Sequence, residues 1–366
     1  MKTTRLRELI TADGPFASVY FDDTHNTEDA AKQRELIWRE LRGELAEQGA
    51  GERLLDAMEG AVFGSAPPVG PGGRAVVAAE GKVLLEQKLT EPPARPVARV
   101  SELPYLLPLA EHGEHPPPHV VVVVDHVGAD VTAVDEHGTV VDARTVEGDD
   151  TQVHKVPGGA WAHRNIQAHV EEVIRRNIEK AAEHVGSIAR RIGATLVVIA
   201  GQAPARKAFL DALPPTVRHH AEEVGPGARR ESVGHHELES RIDDLVAEAT
   251  RRRRDEVTER FESAYSMPQG LAVQGLEAVT SALRERNVET LLVGDPGDAE
   301  VLTGPDPSLV AVQEEELRQE HGVAEVGRAR ADEALVVAAA TVSADVVAVG
   351  DRTTLAEGVG AILRHD

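Results

Sequence analysis

Five consecutive valines, Val120–Val124, stand between His119 and Asp125. Unbroken β-branched residues favour extended backbone, and with no polar residue alternating among them the strand must be buried on both faces. The neighbouring runs Asp130–Asp135 and Thr139–Val146 are predicted to pair through a turn at Glu136-His137-Gly138, giving a small β-meander. After Val156-Pro157-Gly158-Gly159, residues Ile166, Val170, Val173, Ile174, Ile178, Ala181, Val185 and Ile188 recur every three or four positions. That spacing predicts one long helix with a single buried stripe, ending near Gly193. A second buried strand follows at Thr195–Ala200 (TLVVIA), then a short helix over Pro204–Leu213 and a long one over His235–Phe261.

The flanking sequence reads as two further α/β segments. Before the valine run come an apolar strand at Phe16–Phe21, helices over Thr27–Gln48 and Glu52–Phe63, and strands at Arg74–Ala79 and Lys82–Lys88 around Glu80-Gly81. The stretch Glu111–Pro118 (EHGEHPPP) ends this segment, because consecutive prolines fix φ and remove amide donors. After the long second helix, Leu271–Arg286 is predicted as a helix and Glu289–Val293 as a strand ending in Gly294-Asp295. Arg328–Ala340 and Ala344–Val349 repeat the order, ending in Gly350-Asp351, which is the pattern of an α/β/α sandwich. The expected fold class is therefore multidomain α/β. Its expected parts are an α/β domain over 1–118, a middle domain of β-meander and long helices over 119–264, and a C-terminal α/β/α domain over 265–366.

Composition removes several function classes. Among 366 residues there is no cysteine, which excludes disulfides, a thiolate nucleophile and Cys-ligated zinc. No apolar run of about 18 residues exists, and the N-terminal residues alternate charge with Leu and Ile, so a soluble, cytoplasmic protein is expected. The net charge of −23 opposes general affinity for DNA or for anionic membrane. Charge is segregated, however. Residues 151–192 hold seven Lys/Arg against four Asp/Glu, net +3, while the rest of the chain carries −26. One basic element on a repelling body suits a selective approach to a polyanion, and equally a solvated mixed-charge helix.

The glycine pair Gly158-Gly159 gives the backbone freedom to approach another backbone closely, just where the basic helix begins. The strands HVVVVVD and GTVVDARTV, this Gly-Gly loop, the basic helix and the strand TLVVIAG, followed by an α/β/α segment, resemble the archaeal and eukaryotic class-one release factors and Pelota. Bacterial members of that group include Balon-like ribosome hibernation factors. In an active release factor of this family, glutamine follows the two glycines and places water against the ester of peptidyl-tRNA. Here Ala160 stands in that position, and its side chain cannot orient water. His163 and Gln167, four residues apart on one helical face, are the displaced polar candidates for catalysis. No catalytic residue is assured, so the loop reads as catalytically silent, and peptidyl-tRNA ester hydrolysis is the alternative.

The family's NIKS-type codon-reading loop has no counterpart between Met1 and Pro118. The resemblance thus implies a stress or hibernation factor that occupies the ribosomal A site without reading stop codons. Its implied partners are the ribosome, through ribosomal RNA near the peptidyl transferase centre, and elongation factor Tu, with no cofactor. The implied RNA contacts are Gly158, Gly159, Trp161, His163, Arg164, Gln167, Arg175 and Arg176, with Arg190 and Arg191 beyond them. A stress-related α/β module that binds a small ligand or a protein is a third reading.

Other patterns carry less. His112, His115 and His119 have ligand-like spacing, but the prolines among them deny a common helical face and no carboxylate completes a metal set. His219-His220 and His235-His236 read as surface histidines. The four arginines Arg251–Arg254 are followed by Asp255, Glu256 and Glu259, which suits a solvated, self-neutralised face. Gly294-Asp295-Pro296-Gly297-Asp298 lacks the lysine and length of a phosphate loop.

Overall fold

The computed structural model describes all residues except 2, 25–28, 65–71, 114–115, 126, 137, 148–159, 226–234, 268–269, 351–352 and 366, and leaves out the side chains of 4, 5, 7, 8, 160–171, 235–237 and 239. The chain divides into two compact units, one formed by Met1–Glu114 with Arg254–Asp366 and the other by His115–Arg253. The first and last expected segments therefore lie in one unit.

The N-terminal half begins with a short helix α1 (Arg7–Ile10) and strand β1 (Phe16–Asp22), followed by helices α2 (Ala30–Glu47) and α3 (Glu52–Gly64). Strands β2 (Gly73–Ala79), β3 (Lys82–Leu89) and β4 (Val97–Ser101) complete an antiparallel sheet of order β3-β2-β1-β4, and helix α4 (Leu107–His112) follows. Alternation along β1 sends Ala17, Val19 and Phe21 under α2 and α3, against Trp38, Leu41, Leu55 and Met58. Phe16 and Tyr20 point the other way, into a core shared with the C-terminal half. The apolar run at Phe16–Phe21 thus has two burial partners. Below α2, the fully buried Arg74 donates through Nε to Asp23 at 2.8 Å and through Nη1 to Glu86 at 2.8 Å.

The second unit carries β5 (His119–Val124), β6 (Gly128–Val134) and β7 (Val140–Glu147), then the 33-residue helix α5 (Ala160–Ile192). Strand β8 (Leu196–Gly201), helices α6 (Ala203–Ala212) and α7 (Pro215–Arg218), strand β9 (Ala221–Glu223) and helix α8 (His235–Ser266) follow, and the boundary between units falls within α8. The sheet order is β7-β6-β5-β8-β9, antiparallel through β6 and parallel from β5 to β8 and β9. Val120, Val122 and Val124 pack on α5 through Ile178, Ala181, Val185 and Ile188. On the opposite face Val121 and Val123 join Leu196, Val198 and Leu238, with Ile242, Leu245 and Val246 of α8 alongside. The valine run is covered on both sides, with Val120, Val122 and Val124 buried and Val121 and Val123 half-buried, as a strand without polar alternation favours. His119 opens it, buried, its ring Nδ1 at 2.9 Å from the Pro117 carbonyl.

The C-terminal half contains β10 (Ala272–Gln274), α9 (Leu276–Arg284), β11 (Val288–Val293), β12 (Glu300–Thr303), β13 (Val310–Ala311), β14 (Gly327–Arg330), α10 (Ala331–Thr341), β15 (Asp345–Ala348) and β16 (Val359–Leu363). Its mixed sheet has the order β10-β16-β11-β15, and β12 sits between β13 and β14 in a small separate sheet. Helices α9 and α10 cover one face of the mixed sheet, while Phe261 and Val257 from the end of α8 pack on the other. Two expected helices start later than the sequence suggests. Ala272–Gln274 forms an edge strand, and Gly275, at φ +88°, turns the chain so that α9 starts at Leu276, whose amide is capped by Glu357 at 2.8 Å. Arg328–Arg330 pairs with β12 and α10 begins at Ala331.

The two halves of this unit share one continuous core and a polar seam. Thr3 Oγ1 donates to the Ala344 carbonyl at 2.8 Å, and the Val346 amide donates to the Met1 carbonyl at 3.0 Å. Arg99 of β4 donates to Asp332 at 3.2 Å and to Glu333 at 3.0 Å, and its guanidinium lies 3.6 Å from the centre of the Tyr105 ring. Both acids are buried in the first turn of α10, where the helix dipole favours negative charge. Burial pushes the Glu333 carboxyl up, and Arg99 opposes that shift.

Removing Arg99 leaves the buried Glu333 carboxylate without its arginine, so Arg99→Ala is expected to cost about 3 kcal/mol in urea unfolding. Arg330→Ala should cost clearly less, because Arg330 shares Asp332 with Arg99 and its other acid, Asp298, is exposed. A second expectation concerns pH. Burial holds the His119 pKa below its ordinary value of 6.5, so the unfolded chain takes up the proton first. The folded second unit is at full stability above about pH 6.5 and loses stability as pH falls toward the depressed folded pKa. His220 acts in the same direction, lowered by burial and by His219. His119→Asn should therefore reduce, without abolishing, the fall in Tm between pH 7 and pH 5 measured by circular dichroism.

Candidate functional site

Helix α5 starts at Ala160, the residue directly after Gly158-Gly159, and runs about 50 Å at 1.5 Å per residue. Its described buried positions, Asn177, Ile178, Ala181, Ala182, Val185, Ile188 and Ala189, form one stripe on the sheet. Asn177 is the polar member, and its Nδ2 donates to the Val127 carbonyl at 3.2 Å. The exposed side is charged. Arg175 reaches Glu172 and Glu179 at 2.6 Å each, and Arg176 reaches Glu172 at 3.1 Å. These hydrogen bonds push the Arg175 pKa up and hold the Glu172 carboxyl down. Solvent screens exposed pairs at these spacings, so either arginine can exchange its carboxylate for a phosphate at little cost.

Further along the same helix, Lys180, His184, Ser187 and Arg191 recur at four, three and four residues and therefore share a face. Opposite them on β7, Asp142, Arg144 and Val146 share one side of the strand by two-residue alternation. His184 Nε2 lies 2.8 Å from Asp142 Oδ2, and Arg144 Nε lies 3.4 Å from Asp142 Oδ1. Between strand and helix open two adjoining cavities of about 440 Å³ and about 280 Å³, both bordered by Arg144, His184 and Ser187. Lys180 and Glu183 line the larger, Asp142 and Arg191 the smaller. Sequence reasoning grouped Lys180 and Arg191 with the basic helix but did not single out Asp142, Arg144 or His184. The available signal was the two periodicities, two on the strand and three to four on the helix.

Of the residues nominated from sequence, Gly158 and Gly159 lie outside the described residues. Trp161, His163, Arg164 and Gln167 have their backbone in α5, and their side chains lie outside the description as well. Arg190 and Arg191 are exposed in the last turn. Among the histidines, His115 falls outside the described residues, His112 lies 3.7 Å from Glu111, and His119 faces Pro117. Among the described residues, no group of three metal-ligating side chains converges. The His219 and His220 ring centres lie 3.8 Å apart with the rings tilted by 47°, and His235-His236 have no described side chains. In the arginine run, Arg252 pairs with Glu248 at 2.7 Å and Arg254 donates to the Glu111 carbonyl at 3.0 Å. Asp295 closes its own turn by accepting the Gly297 amide at 2.8 Å. No helix among the described residues is long and apolar enough to cross a membrane.

The chain is similar to known proteins along its whole length. The sequence model of the bacterial archaeo-eukaryotic release factor family 2 matches residues 118–266, from the start of β5 to the end of α8. Two Mycobacterium tuberculosis proteins, Rv2629 and MT2704, are each 38% identical to the chain over 369 residues, covering 100% of it and 97% of their own length. Among solved structures, the archaeal termination factor aRF1 is 18% identical, with 99% of this chain and 97% of that one covered and a TM-score of 0.25. Pelota of Archaeoglobus fulgidus is 15% identical, covering 100% and 92%, with a TM-score of 0.38. An archaeal Pelota described as ribosome-bound together with ABCE1 is 15% identical, covering 100% and 95%, at 0.41. With its double-buried valine strand, its meander and the long helix that follows Gly158-Gly159, the chain belongs to the bacterial archaeo-eukaryotic release factor family 2.

Proposed function

We propose that this protein is a translation factor that enters the ribosomal A site without reading stop codons and holds ribosomes in a hibernating or stressed state. The observation that carries the reading is the start of α5. In the sequence Gly158-Gly159 directly precedes the 33-residue helix, and the next residue is Ala160 in place of glutamine. The loop keeps the backbone freedom needed to approach ribosomal RNA, and loses the side chain that would hold water against an ester. Trp161, Arg164, Arg175 and Arg176 supply stacking and phosphate contacts next to it. Delivery by elongation factor Tu and action in the cytoplasm belong to the same reading. An acidic body with one basic element favours a shaped RNA site over indiscriminate polyanion binding.

Hydrolysis of peptidyl-tRNA is the second reading, favoured by one observation. Residues 160–192 are a single helix, so His163 and Gln167 at i and i+4 lie on one face just after the glycines.

Co-sedimentation of the purified chain with 70S ribosomes tests the proposal. Wild type should pellet with ribosomes in a salt-sensitive manner, with and without elongation factor Tu, and Gly158→Val/Gly159→Val should weaken the association at least tenfold. Absence from the ribosomal pellet under every condition would overturn it. In a peptidyl-tRNA hydrolysis assay the wild type is expected to match the uncatalysed rate. Ester cleavage that disappears in His163→Ala or Gln167→Ala would instead establish the second reading.

A further inference from the structure

We infer that the groove between β7 and α5 seats a short stretch of single-stranded nucleotides, with one phosphate held by Lys180, a neighbouring one by Arg191, and a base laid against the Arg144 guanidinium. The inference rests on the ribosomal reading for the identity of its partner, which is RNA, and on the groove's own lining for the chemistry. Two cavities of about 440 Å³ and about 280 Å³ share Arg144, His184 and Ser187, so they form one cleft. The larger falls within the size range of small-molecule sites, about 300 to 1,000 Å³. Its cations are available. Among the described residues, Lys180 and Arg191 are exposed and engage no carboxylate. Arg144 is 61% exposed and meets Asp142 only at 3.4 Å.

The acids in the cleft are Asp142 and Glu183. Asp142 is 10% exposed and already accepts from His184 at 2.8 Å, so its charge is turned inward. Glu183 alone faces the cleft without a partner among the described residues, leaving the lining net positive on a chain of −23. Val146 supplies an apolar wall. Among the described residues no Phe, Tyr or Trp lines the cleft, and the His184 ring is held edge-on to Asp142 by its 2.8 Å contact, so base stacking falls to the planar guanidinium of Arg144, a surface that RNA-binding proteins use for unstacked bases. A nucleotide matches this combination better than an acidic peptide does, since a carboxylate would use the cations and leave the guanidinium face and the apolar wall empty.

The test is fluorescence polarisation of the full chain with labelled octauridylate across a salt series, for wild type, Lys180→Gln/Arg191→Gln, Arg144→Ala and, as a control on α8, Arg251→Gln/Arg253→Gln. Wild type and control are expected to bind alike. The cleft double variant should bind at least tenfold more weakly, and its log affinity against log salt should flatten by about 1.4, the value for two lost phosphate contacts on a single strand. Arg144→Ala should weaken binding with little change in slope. Displacement by uridine monophosphate at equal affinity per nucleotide would mark a free nucleotide as the source, and displacement by unlabelled oligomer alone would mark RNA. Circular dichroism melts establish that the variants fold, and if the double variant does not, Lys180→Gln is read alone with half the slope change. Unchanged affinity in the cleft variants, or competition by octaglutamate equal to that by RNA, would overturn the inference. Wild type that sediments with ribosomes but ignores octauridylate would overturn the cleft while leaving the ribosomal reading in place. RNA binding lost in the cleft variants without any ribosome association would do the reverse.

Discussion

The parallel pairing of β5 with β8 is the constraint on which the second unit depends. Register runs from His119 opposite Leu196 to Val124 opposite Gly201, and both strands are covered on both faces. Parallel neighbours need a crossover, and α5 lies in the connection between them. Six paired residues span about 20 Å, whereas the helix is about 50 Å long, so the crossover is far longer than its strands require. At the end of β8 the pairing tolerates only glycine. Gly201 has φ +134°, and a Cβ there would stand 2.1 Å from the Val124 carbonyl oxygen. The same registry aligns β7 against α5 and so creates the cleft. Asp142 and His184 can meet across it only because strand and helix are both held by the valine core.

The first unit solves a different problem, that of joining two sheets far apart in sequence. Its sheet around β1 has apolar residues on both faces and one pair of helices to cover them, so the second face needs the C-terminal half. Apolar contact alone would permit sliding. Arg99, Asp332 and Glu333 restrict it, because a buried carboxylate that loses its arginine keeps its desolvation cost. The seam therefore specifies orientation more than it adds stability, and Tyr105 under the Arg99 guanidinium fixes the side chain that does so.

What the sequence disclosed follows from these physics. Strands β5 and β8 and helix α5 were legible because their apolar patterns are long and internally consistent. Strands β10, β12, β13, β14 and β16 were not, since they are two to five residues long, and two of them, β10 and β14, merged with the helices that follow. Gly275 was the clue at β10, and it reads as a helix break only when its positive φ is known. The seam was invisible for another reason. Arg99 and Asp332 are 233 residues apart, and no local periodicity reports a contact of that range. The cleft lay between these extremes, its two halves each periodic and its assembly dependent on which way α5 rolls on the sheet.

Charge gives the two levels of the molecule a common logic. A chain of −23 repels RNA at long range, so the proposed contact must be recovered locally by groups whose carboxylates are already engaged. Along α5 this occurs in two forms. Arg175 and Arg176 are masked by Glu172 and Glu179 in exposed pairs that a phosphate can displace at little cost. Arg144 competes with His184 for one well-buried carboxylate, which ties Asp142 to the histidine and leaves the guanidinium with an open face. Neither form makes the helix broadly adhesive. In the proposed contact both meet a phosphate only at heights along the helix that the valine strands beneath it set.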